Sequence, residues 1–195
     1  MDICKPDQPR GRCMGDHRSN QSPLSSGFVP LDHADRAGTA KTKALYAYWQ
    51  RLQAAGRPTR ASLDPLEMKL YLANLVTGDI EPDPFRVHYQ LVGTIIATYS
   101  RLDFTHRYLD ELTYTGRDSV DWEMCYRHVH ATKAPIVGAC TLHSFGEHVI
   151  GTYEYAILPL WRGDDPAGSF VGIEVYDGIS ANRIPDWSKV ELKGG

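Results

Sequence analysis

PFRVHYQLVGTIIATYSRLDFTHRYLDEL, residues 84–112, decides how the rest of this 195-residue chain is read. Phe85, Val87, Tyr89 and Leu91 alternate with Arg86, His88 and Gln90, the two-residue period of a half-buried strand. The run stops at Gly93-Thr94, where glycine suits a tight bend and the threonine hydroxyl can accept a first-turn N–H as an N-cap. Short helical turns continue as far as Leu112. A strand that feeds several very short helices builds a cup over one sheet face. That cup, rather than a catalytic motif, is the feature expected to carry function.

Upstream, Ala44, Leu45, Tyr48, Trp49 and Leu52 fall at three- and four-residue steps, which predicts a leading helix over Thr39–Ala55. Gly56-Arg57-Pro58 ends it, since proline cannot continue a helix. Asp64-Pro65, with Glu67 three residues after the aspartate, reads as an N-cap and first turn of a helix reaching Leu72 or Ala73. Leu75–Ile80 reads as the first strand. Downstream, Thr115–Ala131 reads as the longer helix of the cup, with a mixed face of Val120, Met124, Tyr126 or His128, and Ala131. Three strands come next, over Pro135–Phe145, His148–Trp161 and Ser169–Asp177. Gly146-Glu147 is their first hairpin connection, and Arg162–Gly168 a polar loop. Consecutive strands joined by short turns imply an antiparallel meander, and helices grouped in the middle imply α+β. A five-stranded antiparallel sheet with helices on one face and a leading N-terminal helix is expected.

Residues 1–38 hold few large apolar side chains and read as a flexible tail. The domain is then expected over 39–180, with a C-terminal tail over 181–195. Cys4, Cys13 and His17 match no familiar zinc spacing, so no metal site is expected. A hydrophobic fraction of 42% supports a genuine core, and a net charge of −3 without basic clusters argues against a nucleic-acid partner. No apolar run is long enough to span a bilayer, and the N-terminus lacks a hydrophobic signal segment. Four cysteines at low density fit a reduced, cytoplasmic setting.

Four groups of residues carry a family likeness in their order and spacing. They are Tyr48-Trp49; Gly56, Arg60 and Asp64-Pro65; Phe85-Arg86, Leu91 and Gly93-Thr94; and Leu158-Pro159-Leu160. Between Ala44 and Tyr176 the chain thus resembles the PAS superfamily, in particular a divergent bacterial family of short stand-alone PAS proteins. It departs from that pattern where Asp103-Phe104-Thr105 is followed by His106 rather than glycine. The resemblance implies a sensory or regulatory module with a ligand cup between sheet and helices, and dimerisation through the leading helix. It names no ligand, so the cofactor stays unknown. No kinase, cyclase or DNA-binding segment comes after the domain, so output is expected through a signalling partner such as a kinase or regulator.

Tyr89, Trp122, Tyr126, Tyr153 and Tyr155 are the candidates to line the cup, each equally suited to filling a core. His128 or His130, two apart on the long helix, is the candidate for a haem ligand. Only one of them can face inward, and His130 is expected exposed at the helix end. Leu45, Tyr48, Trp49 and Leu52 are the expected dimer interface. Val171, Ile173 and Val175 are expected to face the helices, leaving Glu174 for solvent or a partner. A cone-fold isomerase or dehydratase using His143, His148, Glu147, Glu154 or Asp121 is the enzyme alternative. Nothing in the spacing pairs those groups, so a non-enzymatic role is expected.

Overall fold

The computed structural model describes residues 28–30, 37–112, 121–143 and 149–183, with backbone alone at 28–30, 143 and 183. In chain order these form β1 Phe28–Pro30, α1 Ala40–Ala55, β2 Leu75–Pro82, β3 Phe85–Val92, α2 Thr94–Ser100, α3 Trp122–Thr132, β4 Ile136–His143, β5 Val149–Arg162 and β6 Asp165–Val175. The sheet runs β1-β4-β5-β6-β2-β3, with every neighbouring pair antiparallel. Strands β2–β6 make the expected five-stranded sheet. The short β1 extends it at the β4 edge, inside the stretch read as a tail, and Ala37 within that same stretch is buried.

Each face of the sheet has its own apolar layer. On one face, Leu45, Tyr48 and Trp49 of α1 pack on Val137, Ala156, Leu158, Leu160, Val171, Ile173 and Val175. On the other, α2, α3, Phe104 and Leu112 cover Val76, Val87, Tyr89, Ile136, Cys140, Tyr153, Tyr155, Ile157 and Phe170. Strands β5 and β6 are buried on both faces because they lie mid-sheet. This corrects the reading of β6: Val171, Ile173 and Val175 meet the leading helix, not the cup helices. Glu174, one residue out of phase, lies on the cup face, half-buried and accepting a hydrogen bond from Tyr176 Oη.

The bend at residue 93 results from close approach. Gly93 N–H donates to Leu75 O at 2.7 Å, and a Cβ on residue 93 would come within 2.3 Å of Ala73 O. Gly93 itself occupies the cap position of α2 and Thr94 is the first helical residue, without a side-chain cap. The Asp64–Ala73 stretch is not an α-helix. Tyr71 N–H bonds Met68 O and Asn74 N–H bonds Tyr71 O, the i to i+3 pattern of tight turns, because only Met68 and Tyr71 reach the core. Asp64 still caps that start, accepting from Leu66 N–H at 2.8 Å. Helix α3 begins at Trp122, with Asp121 as its N-cap accepting from Met124 N–H at 3.0 Å. Its buried face is Cys125, Tyr126 and Val129, not the Met124 and Ala131 stripe. The expected polar loop after Arg162 shrinks to Gly163-Asp164, and β6 opens at Asp165. The connection at Gly146-Glu147 and residues 115–120 lie outside the described residues.

Candidate functional site

Strand parity places one side chain in two from five strands on the cup floor, and α2, α3 and Phe104 close over them. The space is filled by aromatic rings. Tyr126 of α3 lies 4.7 Å from Phe170 and 6.2 Å from Tyr89, centroid to centroid, and Phe104 meets Tyr89 edge-on at 4.7 Å. Trp122, half-buried at the helix start, meets Tyr155 edge-on at 4.9 Å. At the other end Tyr153, Tyr176 and Tyr99 stack in sequence at 4.5 and 4.1 Å. Glycines make room for this filling: a Cβ at Gly138 would stand 2.4 Å from the Tyr155 hydroxyl, and one at Gly78 2.7 Å from the Phe170 ring.

Burial sets the chemistry of the phenols and thiols. It holds Tyr89 well above the ordinary phenol range, helped by Tyr126, Glu174 and Cys125 nearby. Tyr155 is raised by burial and by Cys125, whose Sγ lies 3.6 Å from the tyrosine hydroxyl. Burial likewise raises Cys125, against the opposing Tyr155 hydrogen bond, so the thiol stays protonated. Cys125 and Cys140 are both free and buried. Burial thus keeps the Tyr89 and Tyr155 phenols and the Cys125 thiol of this aromatic interior protonated near neutrality.

Of the residues singled out by sequence, Tyr89, Trp122, Tyr126 and Tyr153 converge in this one cluster. His128 sits on α3 beside that face, half-buried, and burial lowers its pKa. Among the described residues the cup's rings stand in mutual contact, which supplies no argument for haem. Among the described residues no group of three or more His, Cys, Asp or Glu is arranged for a metal ion. His130, expected exposed, is half-buried and pairs through Nε2 with Asp165 Oδ2 at 2.9 Å, beside the Lys133 Nζ bond at 3.1 Å. Partial burial alone would raise the Asp165 carboxyl, but bonds from Ala167 N–H, His130 and Lys133 hold it at about 2.

Leu45, Tyr48 and Trp49 are buried inside the monomer and Leu52 is partly so. The sheet's second face covers them, and Trp49 Nε1 donates to Pro159 O at 2.8 Å. Two of the enzyme candidates are also committed elsewhere. Asp121 caps α3, and Glu154 accepts from Gly38 N–H, Thr39 N–H and Thr39 Oγ1 at the start of α1. The His143 side chain, Glu147 and His148 lie outside the described residues. Phe104, Phe170, Tyr99 and Tyr176 are cup residues that the sequence reading does not reach; alternation along β6, with Phe170, Gly172 and Glu174 in phase, is the signal that finds Phe170.

A single antiparallel sheet clad on one face by short helices around a filled aromatic cup defines a sensor-type α+β module. The chain belongs to the PAS domain family, whose model matches residues 38–175. Domains of this fold are typically sensors rather than enzymes. No curated protein matches the chain. Among solved structures, one described as an RNA-binding light-oxygen-voltage receptor is similar at 12% identity and a TM-score of 0.44, over 79% of this chain. The match covers 39% of that receptor's chain. Among the described residues, no helix is long and apolar enough to cross a membrane.

Proposed function

We propose that this PAS domain is a cytoplasmic sensory or regulatory module of bacterial signalling that acts by protein–protein contact, beginning with a second copy of itself. The observation that carries this reading is a pair of leucines: Leu66 and Leu70 are 78% and 82% exposed. They sit on a segment fixed against α1, where Tyr48 Oη accepts from Asp64 N–H at 2.8 Å and Arg51 bonds Glu67 at 2.5 Å. Two leucines held rigidly in water forgo about 1.5–3 kcal/mol each that burial would return. The patch is also self-complementary, carrying Arg51 and Lys69 beside Glu67, as a two-fold contact requires. Exposed Ala44, Ala47 and Ala54 on α1 leave room for close approach.

Sedimentation velocity at tens of micromolar (an order-of-magnitude choice) tests it. The wild-type chain is expected as a dimer and Leu66→Glu/Leu70→Glu as a monomer of unchanged fold; a monomeric wild type sinks the reading. A kinase or regulator then receives the output through the dimer. A second reading, a small metabolite in the cup, rests on Trp122 being the half-exposed wall of the cluster formed by Tyr89, Tyr126 and Tyr153. Native mass spectrometry of the purified chain decides it: mass beyond the polypeptide supports it, and bare polypeptide with a melting temperature deaf to a metabolite panel removes it. The caps formed by Asp121 and Glu154 favour a non-enzymatic role.

A further inference from the structure

Strand β3 contributes no residue to the apolar layer under α1. On that face it carries Arg86, His88 and Gln90, out of phase with the buried Val87 and Tyr89. His88 stands opposite Asp79, a buried carboxylate of β2. Gln90 joins the two: its Nε2 lies 3.1 Å from Asp79 Oδ2 and 3.0 Å from His88 Nδ1. The His88 ring stacks on Tyr108 at 4.5 Å, and Arg86 lies over the same tyrosine at 3.6 Å. His88 is only half-buried, so protons reach it from solvent. The other charges around the pair are Glu81 on β2, which accepts from Tyr108 Oη, and Arg86 itself, held by Asp110 and Glu111. Arg60 and Arg162 approach Asp79 from the turn after α1 and from the end of β5.

The donors and acceptors in this row of contacts allow one arrangement for each charge state of the imidazole. An ionised carboxylate only accepts, so Gln90 must turn its amide N–H group, not its carbonyl oxygen, toward Asp79. The second hydrogen of the same nitrogen meets His88 Nδ1, which must then be the bare nitrogen of a neutral ring protonated at Nε2. A further proton on His88 sets two N–H donors against each other across 3.0 Å. Turning the Gln90 amide over relieves the conflict. Its Oε1 then accepts from Nδ1–H, and Asp79 Oδ2 loses its amide donor. We propose that His88 is a proton-operated switch, with Gln90 as its toggle, which withdraws a hydrogen bond from Asp79 and so loosens Arg60. Asp79 is then left with Arg60 on Oδ1 at 3.0 Å and Arg162 at 4.0 Å, and water competes for a half-exposed guanidinium. Arg60 opens the turn that comes after α1, in which Ser62 O accepts from Tyr48 Oη at 3.2 Å. The switch therefore delivers its change to the leading-helix side of the sheet, and it requires neither a dimer nor a ligand in the cup.

The test is nuclear magnetic resonance on the full chain labelled with nitrogen-15 and carbon-13, between about pH 8 and about pH 5, where imidazoles titrate. At the upper end a scalar coupling across the hydrogen bond is expected between Gln90 Nε2 and His88 Nδ1, and it should vanish as the ring takes its proton. The Asp79 carboxyl carbon should shift with the same midpoint, and the Arg60 side chain should gain motion. His88→Phe keeps a ring against Tyr108 but has no nitrogen, so both responses should disappear. Gln90→Met leaves the imidazolium charge and removes the toggle, and there the Asp79 shift should fall several-fold. Four results would overturn the inference: a proton on His88 Nδ1 at the upper end, an Asp79 carbon or Arg60 side chain unmoved in the wild type, responses that survive His88→Phe, or a full Asp79 shift in Gln90→Met. The last assigns the effect to the field of the imidazolium alone.

Discussion

Asp79 is the buried carboxylate of β2, its side chain 7% exposed, and it survives there because Arg60 bonds Oδ1 at 3.0 Å and Gln90 bonds Oδ2 at 3.1 Å. Arg162, 4.0 Å away, adds weaker charge support. Removing one partner of a buried pair costs more than the pair contributes, because the remaining charge stays desolvated. Arg60 is itself half-exposed, so Arg60→Met should lower stability by about 2 kcal/mol rather than the full 3–5. Arg60→Met/Asp79→Asn should recover part of that loss in urea titration; an equal or larger loss in the double variant would refute the account. Arg60 stands out in the sequence through its spacing from Gly56, but its partner does not, since Asp79 lies nineteen positions on, in a different element. The cup phenols give a pH prediction of definite sign. Tyr89 and Tyr155 are raised by burial, so they stay neutral in the fold while unfolded tyrosines ionise near 10. Their contribution is complete below about pH 10 and is lost as pH rises above it. Tyrosinate absorbance should therefore show a late cooperative rise coincident with loss of far-ultraviolet circular dichroism. A smooth rise finished before the fold melts would contradict it.

Helices α1 and α3 are fastened at their starts by carboxylates that are not all their own. Helix α3 uses its neighbour Asp121, whereas α1 takes Thr39 locally and Glu154 from the middle of β5. The Glu154 carboxylate meets three donors at the end of a helix where the dipole is positive. Glu154→Ala should cost about 1–2 kcal/mol, on the scale of a lost N-cap. Hydrogen exchange should quicken first at Thr42 and Lys43, and unchanged exchange there would remove Glu154 from this role. Helix α1 is legible because its buried residues recur at helical spacing; α3 is found, but its start is set by the Asp121 cap and its buried face is Cys125, Tyr126 and Val129. Asp64–Ala73 misleads for a physical reason. Its Asp-Pro start is a sound helix signal, and Met68 N–H does bond Asp64 O, yet Leu66 and Leu70 stay exposed and the stretch closes in i to i+3 turns. Glu154 is visible in the sequence as a titratable group, but a single sequence carries no mark of a strand residue that caps a remote helix.

The sheet as a whole is legible because alternation and turn residues are local, while the sidedness of its helices is not. Leading-helix residues Tyr48 and Trp49 look too apolar to hide, since the sequence does not reveal that β5 and β6 present apolar side chains on both faces. Leu158 and Ile157 show the consequence: adjacent in β5, they are fully buried in opposite layers, one under α1 and the other under the cup helices. The two layers thus share the same two central strands. Leu158→Ala, which opens a cavity beneath α1 only, should cost about 3 kcal/mol. If the layers form one cooperative unit, that loss must reach α3, which Leu158 does not pack with. The slowest-exchanging amides of α1 and α3 should lose protection equally, by about two decades for 3 kcal/mol at 1.4 kcal/mol per factor of ten. Loss confined to α1 would show that the leading helix opens as a separate unit. In that case a signal entering the cup could not reach the leading-helix face through the sheet, and the leucine patch beside α1 would have to be controlled from its own side.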